Sequence, residues 1–94
     1  MAWCRVEIGK RAMRELQSVP AHIVVKLKSW VELVELNGLR VARRIPGYHD
    51  EPLKGKRAGQ RSIRLSRSYR AICRVILAQN VENILIEEVN KHGY

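Results

Sequence analysis

An alternation with a period of two residues governs the chain from residue 62 to residue 90 and limits what it can fold into. In Ser62-Ile63-Arg64-Leu65, Ile63 and Leu65 fall on one side, Ser62 and Arg64 on the other. After the turn Ser66-Arg67-Ser68, residues 69–77 repeat the pattern over a longer run. Tyr69, Ala71, Cys73, Val75 and Leu77 share one face, and Arg70, Ile72, Arg74 and Ile76 share the opposite one. Successive side chains of a strand point to opposite faces of its sheet, so these runs read as strands. Gln79-Asn80 turns the chain into residues 81–90, which are apolar on both faces in the middle (Ile84, Leu85, Ile86). That is the pattern of a strand in the interior of a sheet. Strands joined by such short turns pair antiparallel, and their apolar face needs cover.

The first half of the chain supplies the cover. Residues 2–8 are short and rich in strand formers, and read as an edge strand ended by Gly9. Ala12, Met13 and Leu16 recur at helical spacing over residues 10–17. Ser18-Val19-Pro20 breaks that helix, and Pro20 suits the first turn of the next. Ile23, Leu27, Trp30, Val31 and Val34 then form one apolar stripe, with Asn37-Gly38 as its stop. Leu39, Val41, Ala42 and Ile45 suit another helical turn or two. Pro46-Gly47, Pro52, Gly55 and Gly59 mark a loop. The expected architecture is α+β in the order β-α-α-β-β-β. Two helices pack on one face of a mostly antiparallel four-stranded sheet, in a single domain spanning residues 1–94.

Charge narrows the partners. Lys and Arg total 18 against nine Asp and Glu, a formal net charge of +9. This favours polyanions, whether nucleic acid, the ribosome or an acidic protein, and also fits a basic housekeeping protein. Cys4 and Cys73 sit in apolar surroundings and read as buried, reduced thiols. No Cys or His cluster has metal-ligand spacing, so neither metal nor cofactor is expected. Paired carboxylates, a nucleophile elbow and a phosphate-binding glycine loop are missing too. No run approaches the ~20 apolar residues of a membrane span, and a cytoplasmic location follows as the expectation.

Basic residues crowd the loop (Lys54, Lys56, Arg57, Arg61) and one strand face (Arg64, Arg70, Arg74). Alternation alone suits Arg64 and Arg70 equally as a solvated face or as a phosphate-binding one, and for Arg74 it favours the solvated face. Arginine pairs with phosphate in two-pronged fashion. The chain runs out at Asn90-Lys91-His92-Gly93-Tyr94, placing a histidine and an aromatic ring beside the same sheet. His92 titrates near neutrality and is the natural acid or base. His49, in the basic loop, is a weaker second candidate for that role and reads first as a surface histidine, and His22 reads as structural.

The block Pro52-Leu53-Lys54-Gly55-Lys56-Arg57-Ala58-Gly59-Gln60-Arg61-Ser62-Ile63-Arg64-Leu65, followed by Ser68-Tyr69-Arg70-Ala71-Ile72, resembles the signature of the RelE/ParE toxin superfamily. The Leu-Lys-Gly stretch and the later Tyr-Arg point to its HigB-like and RelE-like branch. The resemblance implies a toxin of a toxin–antitoxin pair, a ribosome-dependent endoribonuclease that cuts mRNA without metal. Its partners would be a cognate antitoxin, mRNA on the ribosome and, only through the antitoxin complex, operator DNA.

By position, the resemblance makes Lys54, Arg64, Arg70 and His92 the catalytic set, with Tyr94 as a further candidate. Lys56, Arg57, Arg61 and His49 would bind RNA. The pattern departs from the family at Lys91, where such members often carry Tyr, and at Asn90, near an expected acidic residue. A second reading is a ParE-like toxin that inhibits DNA gyrase without cutting anything. A third is a homologue whose toxicity is lost.

Overall fold

A computed structural model of the chain describes residues 3–91, the side chain of Trp3 excepted. The alternating runs become β3 (Gln60–Arg64), β4 (Tyr69–Ala78) and β5 (Val81–Lys91), paired antiparallel in sequence. Gln79 and Asn80 both adopt left-handed backbone, φ 52° and 63°, as a tight two-residue hairpin turn demands. At the far side of β5, β1 (Trp3–Ile8) adds in parallel as an edge strand.

The sheet has five strands, not the expected four. β2 (Glu51–Pro52) pairs antiparallel with β3 and completes the order β1-β5-β4-β3-β2. Two residues carry no alternation to read. Proline, with no N–H to donate, is tolerated here because β2 is the outer edge.

Three helices cover one face. α1 is Lys10–Leu16, α2 Ala21–Asn37 and α3 Leu39–Arg43. Ile23, Leu27, Trp30 and Val34 of α2 are buried against Ile63, Ala71, Ile84, Ile86 and Val89 of the sheet in one core. Gly38, at φ 87°, ends α2 and donates its N–H to the Val34 carbonyl at 2.7 Å. Met13, expected to face the core, is 50% exposed; Ala12 and half-buried Leu16 make the contact. α1 is short and packs mainly on β5, so only a narrow stripe of it meets the sheet.

A bulge shapes β5. Ile72 pairs with Glu88 and Cys73 with Ile86, leaving Glu87 as the extra residue. The slip lets Ile84, Ile86 and Val89 all face the helices, while Glu87 and Glu88 both reach partners on the opposite, open face. Beyond the end of β1, the Val89 N–H finds no strand and donates instead to Glu15 Oε1 of α1 at 2.9 Å. Burial first, and then nearby Asp50, pushes the Cys73 thiol up to about 12. Cys4, expected to be buried, is only half-buried because β1 is an edge strand. Among the described residues, no helix is long and apolar enough to cross a membrane.

Candidate functional site

The open face of the sheet holds two polar clusters of different character. At the end where β2, β3 and β4 meet, His49, Glu51, Ser62, Arg64, Tyr69 and Arg70 line a crevice of about 100 Å³. Each is placed by local backbone. Glu51 lies opposite Ser62 in the β2–β3 pair, and Arg64 lies directly opposite Arg70 in the β3–β4 pair. His49 follows the turn Pro46–Tyr48 in left-handed backbone, φ 46°, a strained state for a residue with a Cβ. This conformation brings its Nε2 to 3.7 Å from Glu51 Oε2, both side chains being more than half exposed.

The Arg64–Arg70 pairing is the telling feature. Like charges directly across two strands repel, so the pairing itself weighs against the sheet. Arg64 is exposed and has no ion-pair partner among the described residues. The arrangement presents concentrated positive charge to an anion, with a carboxylate and an imidazole alongside.

The second cluster is self-neutralised. Glu88, 7% exposed, accepts from Arg57 Nη2 at 2.6 Å and Nη1 at 3.3 Å, and from Asn90 Nδ2 at 3.0 Å. Arg11 Nη2 of α1 stands 3.5 Å away. Next to it, Glu87 accepts from Gln60 Nε2 at 2.9 Å and pairs with Arg74 Nε at 3.4 Å. Ile72, on the same face, is fully buried.

The expected site residues therefore divide. Arg64, Arg70 and His49 come together. Lys54 and Lys56 are exposed on the connection between β2 and β3 and do not line the crevice. Arg57 is tied to Glu88. Arg61 lies on the helix side of the sheet, where its Nε holds buried Asp50 Oδ1 at 2.6 Å, with Arg43 at 3.7 Å from the other oxygen. His92 and Tyr94 lie outside the described residues; β5 ends at Lys91, opposite Tyr69. Glu51 was not anticipated as a site residue. Its signal in the sequence is slight: a carboxylate standing immediately ahead of the Pro52–Arg64 block. Among the described residues no group of three or more His, Cys, Asp or Glu is arranged to hold a metal ion.

Neither a protein-family model nor a curated protein sequence matches the chain significantly. Solved structures do. A YoeB/ParE toxin from Agrobacterium tumefaciens superposes with a TM-score of 0.67 at 22% identity, over 95% of this chain and 99% of that one. YafQ from E. coli gives 0.70 at 18%, over 94% and 92%. A chain of the toxin–antitoxin complex RelBE2 from Mycobacterium tuberculosis gives 0.67 at 22%, over 98% and 100%. The likeness covers more than nine-tenths of each chain, and the chain thus has the fold of the RelE/ParE toxin superfamily.

Proposed function

We propose that this protein is the toxin of a toxin–antitoxin pair and a cytoplasmic endoribonuclease that cuts mRNA on the ribosome. The observation that carries the reading is the Arg64–Arg70 pair, set beside Glu51 and His49 in one crevice. The fold likeness to YoeB, YafQ and RelE-type toxins supports it. Structures of a DinJ–YafQ toxin–antitoxin complex and a YoeB–YefM complex support an antitoxin as the partner.

The chemistry needs a base, positive charge at the phosphate and an acid, and the crevice offers the first two. The ribose 2′-oxygen attacks the adjacent phosphorus, the bond from phosphorus to the 5′-oxygen breaks, and a 2′,3′-cyclic phosphate and a 5′-hydroxyl result. Glu51 takes the 2′-hydroxyl proton, and His49 beside it holds the carboxylate in place. Arg64 and Arg70 carry the charge that builds on the phosphate oxygens, usually the largest single contribution to such a step. His92 returns a proton to the leaving 5′-oxygen, with Tyr94 as its alternative. Lys54 and Lys56, exposed on the connection between β2 and β3, attract the RNA backbone.

The test is to induce the protein in cells and map mRNA 5′ ends, with Glu51→Gln and Arg70→Ala as companions. New ends within coding regions, lost in both variants, are expected. Arrest of DNA synthesis while mRNA stays intact would replace this reading with gyrase inhibition.

A further inference from the structure

The crevice is too small to hold the substrate it would cut. About 100 Å³ is the space of roughly three waters, enough for a phosphate group but not for a base. The nucleotide adjoining the scissile phosphate must seat its base elsewhere. A second, open depression of about 480 Å³ lies on the other side of Tyr69, which lines both. Its other walls are Arg11, Arg14, Glu15 and Ser18 of α1 and the turn after it, with Val19 and Val89 as apolar surface. It is a wide, open depression, so a base laid in it keeps one side to solvent, as a base stacked on a single-strand platform does.

The chemistry of the walls suits a nucleotide. Tyr69 is half-buried and packed against the core, so its ring is held in place for stacking. Glu15 is already committed, accepting from the Val89 N–H at 2.9 Å and from Arg11 Nε at 3.4 Å. Arg11 also reaches Glu88. Arg14, by contrast, is exposed and has no ion-pair partner among the described residues. The cavity therefore combines an aromatic wall, an apolar floor and one uncommitted guanidinium.

We infer that this cavity is a subsite for the unpaired nucleotide next to the scissile phosphate, with its base stacked on Tyr69 and its phosphate on Arg14. The inference rests on the nuclease reading above, and extends the RNA path from the open face around the end of the sheet to α1.

The test uses binding alone. The probe is a short single-stranded RNA made uncleavable by 2′-O-methyl groups, with 2-aminopurine as the reporter base. Wild-type protein should bind it and quench the reporter. Tyr69→Leu should lose the quenching and on the order of 10-fold or more in affinity, and Tyr69→Phe should keep both. Arg14→Ala should lower the slope of log affinity against log salt by about 0.7, the share of one phosphate on a single strand. Lys28→Ala removes the same charge from α2 and should leave that slope alone. Thermal melting checks that each variant is folded. If wild-type protein binds the RNA, but Arg14→Ala keeps its slope and Tyr69→Leu keeps its quenching, the subsite is wrong and the nuclease reading stands. If wild-type protein does not bind this RNA at all, the subsite is wrong, while the nuclease reading, whose substrate is mRNA on the ribosome, is decided by the mapping of mRNA 5′ ends.

Discussion

At the scale of single residues, the register separates two arginines that charge counting cannot. Arg70 and Arg74 share a face of β4, about 13 Å apart at ~3.3 Å per residue, too far to hold one phosphate. Their surroundings differ. Arg70 lines the crevice opposite Arg64, whereas Arg74 pairs with Glu87 and packs 3.1 Å from the position a Gly59 Cβ would occupy. Arg70→Ala should therefore abolish toxicity, since loss of one donor to a developing oxyanion costs roughly 10²–10³ in rate. Arg74→Ala should keep it. Growth under induction, with soluble yield and melting temperature as controls, decides. A lethal Arg74→Ala beside a harmless Arg70→Ala would mean that the site lies further along β4. The sequence showed both arginines and their common face. It did not show that Arg61, one residue out of phase, points to the core side, because its reason for being there is Asp50, a partner eleven residues away.

At the scale of elements, what was legible and what was not follows from periodicity. β4 and α2 carry long regular patterns and lie where those patterns place them; β3, read from the four residues 62–65, runs instead over Gln60–Arg64. β2 and the β5 bulge have no pattern: one is two residues long, and the other is a single extra residue inside a run that is apolar on both faces. Yet these two features build the open face. β2 delivers Glu51 to the crevice, and the bulge turns Glu88 toward Arg57 of the connection over residues 54–59 and Glu87 toward Gln60 and Arg74.

That connection leaves β2 and enters β3 through two left-handed glycines, Gly55 at φ 65° and Gly59 at φ 97°. Between them, Arg57 is bound to Glu88. Glu88→Gln should loosen this tether and speed hydrogen exchange over 54–59. It should cost about 1–2 kcal/mol in stability, less than the full cost of breaking a buried pair because the Arg57 side chain keeps 38% exposure. Exchange mass spectrometry reads the loop directly; unchanged rates there would show that the glycines and the strand ends hold it without Glu88.

At the scale of the whole molecule, a net charge of +9 sits on a chain that also leaves Met13, Val25, Leu36, Ile76 and Leu77 at least half exposed. Self-repulsion lowers the stability of the free protein, the apolar side chains leave surface in water that a partner can bury, and one partner can answer both. The partner proposed above, an acidic, amphipathic antitoxin, meets that description. Binding only to the folded state, it stabilises by mass action, about 2.7 kcal/mol when present at 100 times its Kd. For a domain of this size that corresponds to a rise of roughly 10–20 °C in melting temperature. The two contributions respond differently to salt. Screening shortens the reach of charge from about 10 Å at 0.1 M to 3 Å at 1 M and leaves apolar burial intact. The protein co-purified with the product of its neighbouring reading frame should therefore melt well above the free chain at low salt. At 1 M salt the gap should shrink without closing. Equal melting temperatures with and without that product, at either salt concentration, would show that the charge and the apolar surface answer to another partner.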